Sequence, residues 1–135
     1  MFSLVYVSKS LLVPGQAIRE IGSIVDVSTV RNAAAGVTGA LLYTGTHFAQ
    51  LLEGEESAVR EIMASIARDQ RHCDVVTIDQ GPVATRRFST WSLVYLGYST
   101  FAATTVDRAL TERDRSDGYA LNNLIRLLQE LARSI

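Results

Sequence analysis

The chain has 135 residues, of which 47% are apolar and 20% charged, and its formal net charge is −1. These values predict one globular domain with a substantial core and give no bias toward nucleic acids or anionic membranes. No apolar run approaches the roughly 20 residues that span a bilayer, and the N-terminus lacks the basic start and long apolar core of a secretion signal. The single cysteine, Cys73, excludes an internal disulfide and favours a reducing compartment, the cytoplasm. It shows no metal-ligand spacing with the two histidines, so no metal site is predicted.

The first half of the chain predicts a strand, a helix and a hairpin. Residues 2–8 alternate as a strand does, and Pro14-Gly15 then interrupts the chain. A helix follows over roughly 16–33, and its apolar stripe consists of Ile18, Ile21, Ile24, Val25 and Ser28. Residues 37–43 and 47–52 have the composition of two strands, with a turn over 44–46.

The second half predicts another helix and two more strands. Glu55-Glu56 opens the helix, since acidic side chains favour the positive end of its dipole. Strands are predicted over 74–78 and 91–98, which completes the order β-α-β-β-α-β-β. This order matches an α+β, ferredoxin-like sandwich with one added strand and both helices on one face.

A helical tail is predicted after about residue 100. Thr104-Thr105 is a candidate cap for a short helix over 106–110, and Asp117-Gly118 precedes a longer helix. The apolar stripe of the longer helix is formed by Leu121, Leu124, Ile125, Leu128 and Leu131. We expect residues 1–99 to form the main domain, and residues 100–135 to pack on the uncovered sheet face or on a partner.

A glutamine in the hairpin is the clearest sign of a functional site. Gln50 falls in the second hairpin strand and shares a face with Phe48 and Leu52. If this face is buried, the amide needs polar partners or costs about 1–3 kcal/mol. A buried amide both donates and accepts hydrogen bonds, which suits recognition of a polar ligand edge.

The two helix ends predict a polar slot above Gln50. Arg31 and Asn32 come from the end of the first helix, and the end of the second supplies Arg68, Asp69, Arg71 and His72. Tyr6 and Gln50 would form the floor, a pattern typical of a cofactor pocket. Taken singly, each residue also has a structural interpretation: Tyr6 as a core tyrosine, Asn32 as a helix cap and the arginines as dipole partners. The sequence has no hydrolytic triad and no phosphate loop of the P-loop or Rossmann type.

Four separated motifs resemble BLUF domains, which are blue-light sensors that use FAD. They are LVYVS at 4–8, RNAAAGVTGALLYTGTHFAQLLEG at 31–54, RDQRH at 68–72 and RRFSTWSL at 86–93. They occur in the family's order, and the resemblance covers residues 4–98. It implies a flavin held between the two helices, with FAD as the expected cofactor and FMN as the alternative.

The resemblance also implies individual roles. Tyr6, Gln50 and Trp91 match the family's photoactive tyrosine, switching glutamine and mobile tryptophan. Tyr6 would give up an electron and a proton, and Gln50 would then change its hydrogen bonds by rotation or tautomerisation. The remaining positions implied to contact the flavin or its surroundings are Ser8, Ile24, Ser28, Arg31, Asn32, Ile66, Asp69, Arg71 and His72.

One position departs from the pattern. Many family members have methionine two residues after the tryptophan, whereas this chain has Leu93. Leucine keeps the volume and loses the polarizable sulfur.

The resemblance implies a photoreceptor without enzymatic activity that signals through self-association, as a dimer or larger oligomer, or through a partner protein. The alternatives are a small-molecule-binding regulatory domain without photochemistry and an acylphosphatase-like hydrolase, because the same scaffold supports both.

Overall fold

A five-stranded sheet lies between two pairs of helices in the computed structural model, which describes all 135 residues. Short segments connect the elements, and a 3-10 turn at Pro14–Gln16 precedes the first helix. In chain order the elements are β1 (Phe2–Ser10), α1 (Ala17–Ala34), β2 (Thr38–Tyr43), β3 (His47–Gly54), α2 (Glu56–Ala67), β4 (His72–Pro82), β5 (Trp91–Leu96), α3 (Thr100–Thr111) and α4 (Tyr119–Arg133).

The strand order in the sheet is β4-β1-β3-β2-β5. The first four strands pair antiparallel, and β5 joins the edge of β2 in parallel. The predicted α+β fold class and the ferredoxin-like arrangement with an added strand are therefore confirmed. Gly39 begins the β2 pairing with Trp91, and a Cβ there would overlap the carbonyl oxygen of Leu51. Only glycine fits this position, for two reasons: the Cβ of another residue would overlap Leu51, and the φ of 152° disfavours residues that have a Cβ.

Helices α1 and α2 pack on one sheet face, which we call the sensor face. Alternation along β1 sends Leu4 and Tyr6 to this face, where they meet Ile21 of α1 and Ile62 of α2. The stripe predicted for α1 is wrong at Ile18, which is 76% exposed. Ala17 and Ile21, four residues apart, face the core, and Ile18 lies to the side of this face, toward solvent.

Helices α3 and α4 cover the opposite face, which we call the tail face. Val5 and Val7 of β1 point to this side and are completely buried, together with Leu51 of β3. Leu124 and Leu128 of α4 are also completely buried in this cluster. The sheet is thus covered on both faces, which explains why its central strands β1, β2 and β3 are largely apolar and lack a polar side.

Five predicted boundaries are wrong, two of them because β1 ends at Ser10 and β3 at Gly54, two residues later than predicted. The α3 cap is Ser99, whose hydroxyl accepts from the Ala102 amide, so α3 begins six residues before the predicted Val106. Strand β4 is longer than 74–78 because it pairs with β1 from Phe2 to Ser10, with two register shifts along this pairing. Strand β5 ends at Leu96, because Ser99 already caps the next helix. None of the helices is long and apolar enough to cross a bilayer.

Candidate functional site

A chain of buried hydrogen bonds crosses the centre of the sensor face. Tyr6 of β1 and Gln50 of β3 are direct cross-strand partners. The Gln50 Nε2 donates to the Tyr6 hydroxyl at 2.7 Å, and the Trp91 indole Nε1 donates to Gln50 Oε1, also at 2.7 Å. All three side chains are at most 7% exposed. The structure therefore brings together the three residues predicted to be photoactive.

Trp91 fixes the orientation of the Gln50 amide. An indole nitrogen can only donate a hydrogen bond, so the amide oxygen must face Trp91. The amide NH2 group then faces Tyr6, and the phenol oxygen is the acceptor. One hydrogen of the NH2 group is used in this bond, and the second is available to another acceptor.

Tyr6 is a neutral phenol at physiological pH. Burial raises its pKa well above the ordinary value of about 10, because the phenolate would lose its hydration. The hydrogen bond from Gln50 acts in the opposite direction and is the smaller influence. Tyr6 thus keeps its proton in the ground state and can lose it only if another process makes the phenol a stronger acid.

The end of α1 brings an unpartnered amide to the same region. Asn32 is completely buried, and its Oδ1 accepts from Arg31 Nε at 3.1 Å. Its Nδ2 is buried without a hydrogen-bond partner. A buried donor left unpaired costs about 1–3 kcal/mol, which a ligand acceptor would recover. Asn32 is therefore a strong candidate for ligand contact.

The segment after α2 supplies the opposite rim. Arg71 forms a two-point ion pair with Asp69, with Nη2 and Nε donating to the carboxylate at 2.6 and 2.9 Å. These bonds hold the pKa of Asp69 below its ordinary value. Glu20 of α1 lies 3.8 Å from the same guanidinium. The Arg71 charge is therefore largely compensated within the protein, and the predicted Arg68 is exposed outside the site.

His72 ties this rim to the sheet. Its Nε2 lies 2.7 Å from the Ile66 carbonyl, which can only accept, so Nε2 carries a hydrogen. Its Nδ1 lies 2.7 Å from the hydroxyl of Ser8 on β1. Ser8 thus acts through His72, which it helps to orient.

One cavity between α1 and α2 unites these groups. Ten predicted residues line it: Tyr6, Ile24, Ser28, Arg31, Gln50, Ile66, Asp69, Arg71, His72 and Trp91. Ser8 and Asn32 stand behind the lining, bonded to His72 and Arg31 respectively. The lining residues missed from the sequence are Val27, Leu41, Phe48 and Ser65. Strand alternation could have identified two of them, because Phe48 lies two residues from Gln50 and Leu41 pairs with Gln50.

The cavity suits a flat heterocycle with a polar edge. Ile24 and Ile66 come from opposite helices and provide apolar walls, while the floor offers the free N–H of Gln50. Asn32, bonded to the lining residue Arg31, adds a buried donor without a partner. An isoalloxazine ring has two large apolar faces and an edge of carbonyl and nitrogen acceptors, so these residues fit a flavin. No group of three or more His, Cys, Asp or Glu side chains is arranged to hold a metal.

Sequence comparison agrees with this geometry. The family model "BLUF: Sensors of blue-light using FAD" matches residues 1–94. The blue light- and temperature-regulated antirepressor BluF of Escherichia coli K12 is 38% identical over 73 residues. This alignment covers 54% of the present chain and 18% of the antirepressor, so the chain spans less than a fifth of that relative's length.

Solved structures show the same similarity in three dimensions. The dark-state structure of the BLUF protein BlrB is 34% identical, with a TM-score of 0.77 over 99% of this chain and 96% of that one. Klebsiella pneumoniae BlrP1 with FMN and cyclic diGMP is 32% identical, with a TM-score of 0.63 over 84% of this chain and 29% of BlrP1. The chain therefore belongs to the BLUF family of blue-light sensors that use FAD.

Proposed function

We propose that the Tyr6–Gln50–Trp91 hydrogen-bond chain is the light-responsive element and that the cavity above it holds the flavin ring. The observation that carries this proposal is the pair of 2.7 Å bonds joining the three side chains through one amide. Asn32, Gln50 and Tyr6 would contact the polar ring edge. Ile24 and Ile66 would cover its faces, while Ser28, Arg31, Asp69, Arg71 and His72 form the rim.

A bound flavin supplies the absorption of blue light and an excited state that is a strong oxidant. Tyr6 is the donor in this proposal: its neutral phenol would give an electron and then its proton to the excited flavin, and both would return when the pair recombines. Gln50 is the group that rearranges. A half-turn of its amide would bring NH2 against the Trp91 N–H, so two donors would face each other and the indole would lose its acceptor. Rotation of Gln50 would therefore break the hydrogen bond that Trp91 makes.

Light-minus-dark spectroscopy tests the proposed function. The full-length protein, purified with FAD, is expected to be yellow and to show a red shift of its flavin absorption under blue light. The shift should reverse in the dark. A protein that binds FAD without a reversible shift would contradict the photosensor, and one that binds no flavin would restore the two alternatives, which the family comparison does not support.

Asn32→Ala should weaken flavin binding. The variant removes a buried donor that has no partner within the protein and one bond that Asn32 accepts from Arg31, so the flavin-free form should lose only about 1 kcal/mol of stability. A hydrogen bond worth about 1.4 kcal/mol corresponds to about tenfold weaker binding. Titration of flavin-free protein with FAD measures this change, with the exposed α4 residue Asn122→Ala as the matched control. Equal affinities for the two variants would remove Asn32 from the contact set.

We further propose that the signal leaves through protein association. The chain would act without enzymatic activity of its own, as a homodimer or larger oligomer and through a downstream partner in the cytoplasm. Residues 1–99 would be the photosensor and residues 100–135 its output layer. Support comes from exposed aromatic rings on this layer, since Phe101 and Tyr119 are 69% and 66% exposed and line one groove between α3 and α4.

Sizing in the dark and under blue light tests the association. We expect either the oligomer size or the affinity for a captured partner to change with light, by a coupling of about 1–3 kcal/mol. Phe101→Ser should reduce this change without altering the flavin spectrum, because the residue lies on the tail layer. A monomer in both conditions, with identical protease sensitivity of residues 100–135, would contradict the output proposal.

A further inference from the structure

A completely buried carboxylate lies three residues after Gln50 on β3. Glu53 of β3 accepts hydrogen bonds from the backbone amides of Arg87 and Phe88 at 2.9 and 2.7 Å. The Thr38 hydroxyl donates to it at 3.2 Å. Two of these donors belong to the segment of residues 83–90, which connects β4 to β5 and which we call the 83–90 loop.

The 83–90 loop crosses from one sheet face to the other. Phe88 is buried in the tail-face cluster with Leu124 and Leu128 of α4. Trp91, three residues later, is buried in the sensor-face cluster. The position of the indole therefore depends on where the loop is held.

Glu53 is the principal side-chain anchor of this crossing. A surface guanidinium reinforces it, because Arg86 donates to the Thr38 hydroxyl at 2.7 Å and to the Gly36 carbonyl at 2.9 Å. The backbone adds one bond next to Trp91, from the Gly39 amide to the Thr90 carbonyl. Only Glu53 among these groups is completely buried and negatively charged, and charge-assisted bonds are about twice as strong as neutral ones.

We propose that Glu53 is a positioning residue for Trp91: by holding the 83–90 loop, its carboxylate keeps the indole N–H on the Gln50 oxygen. The proposal rests on the proposed role of Trp91 in light sensing. Glu53 is the acidic residue of the LEG sequence at 52–54, and the proposal gives it a function beyond packing. It also identifies one loop that connects the indole, through Phe88, to the underside of α4.

The sole tryptophan provides a direct test, because its indole N–H gives one nuclear magnetic resonance signal. In the dark, flavin-bound, full-length protein, this hydrogen should exchange slowly with solvent. Glu53→Gln removes the negative charge and one of the two acceptor oxygens, so the loop amides keep at most weaker, neutral hydrogen bonds. We expect faster exchange of the indole hydrogen and a smaller light-induced red shift.

Three further variants keep this test decisive. Leu124→Ala loosens the tail-face cluster around Phe88 but leaves the bonds from the loop to Glu53 in place, so at matched stability the indole hydrogen should exchange more slowly than in Glu53→Gln. Thr38→Val removes one donor to Glu53 together with the acceptor of one Arg86 bond, and Arg86→Met removes only the Arg86 bonds. A larger acceleration in Thr38→Val than in Arg86→Met decides the question if Glu53→Gln fails to fold. The proposal would be overturned if the indole hydrogen exchanged at the wild-type rate in the Glu53 or Thr38 variants. It would also be overturned if Leu124→Ala accelerated this exchange as much as Glu53→Gln does. Because exchange is measured in the dark, a failed photocycle does not affect this result.

Discussion

Tyr6→Phe is expected to give a folded, yellow protein that no longer shows the reversible red shift. The ring keeps its volume in the sensor-face cluster, so packing is preserved. The hydroxyl is lost, and with it the proton of a phenol that burial holds neutral. The Gln50 Nε2 loses its acceptor, which costs about 1–3 kcal/mol if no other group replaces it.

Gln50→Leu should abolish the shift by a different route. The substitution removes both bonds of the amide, leaving the Trp91 N–H without its acceptor and Tyr6 without its donor. We therefore expect a larger loss of stability than in Tyr6→Phe, again about 1–3 kcal/mol for each unpaired group. Urea unfolding and light-minus-dark spectra measure the two effects separately.

Tyr43→Phe is the matched control for both variants. Tyr43 is a buried strand tyrosine in the same cluster, but its hydroxyl donates to the Gly45 carbonyl in the hairpin turn. Its loss should leave the red shift intact. A normal photocycle in Tyr6→Phe or Gln50→Leu, or a lost one in Tyr43→Phe, would contradict the proposed network.

Strand periodicity made much of this site predictable from the sequence. Residues two apart on a strand share a face, so the neighbours of Tyr6 on β1 and of Gln50 on β3 follow from their spacing along the chain. The bond between Trp91 and Gln50 could not be derived in this way. It depends on β5 joining β2 in parallel, a contact across 41 residues that no local pattern specifies.

The burial of Glu53 could not be predicted from the sequence either. An acidic residue near the end of a strand ordinarily indicates a solvated position, because burying an unpaired carboxylate is costly. Its burial depends on the backbone amides of residues 87 and 88, which the 83–90 loop brings to the carboxylate. The α3 cap was missed for a related reason. Ser99 and Thr104 are both good capping residues, and only the packing of α3 on the sheet selects between them.

Removal of residues 100–135 is expected to give an insoluble protein without recoverable flavin. The truncation would expose four completely buried side chains of the tail face: Val5, Val7, Leu42 and Leu51. A contiguous apolar patch of this kind on a sheet promotes aggregation. The helical layer is therefore part of the fold and cannot simply detach as the output step.

Single substitutions in α4 measure, in protein that stays soluble, how far the stability of the fold depends on the helical layer. Leu124→Ala and Leu128→Ala each empty a completely buried position and should cost about 2–5 kcal/mol, a large part of the stability of an ordinary domain. Tyr119→Ser, on the exposed side of α4, should change stability by no more than about 0.5 kcal/mol. Urea unfolding of the flavin-bound forms gives all three values.

The stabilities of these three variants decide where on the protein the light signal can emerge. If the leucine variants are strongly destabilised while Tyr119→Ser is not, α4 must stay docked, and the signal must appear as a change on its outer surface or in the 83–90 loop beneath it. A truncated chain that remains soluble, yellow and photoactive would contradict this model. It would show instead that the sheet tolerates exposure of its tail face and that α3 and α4 are free to detach under light.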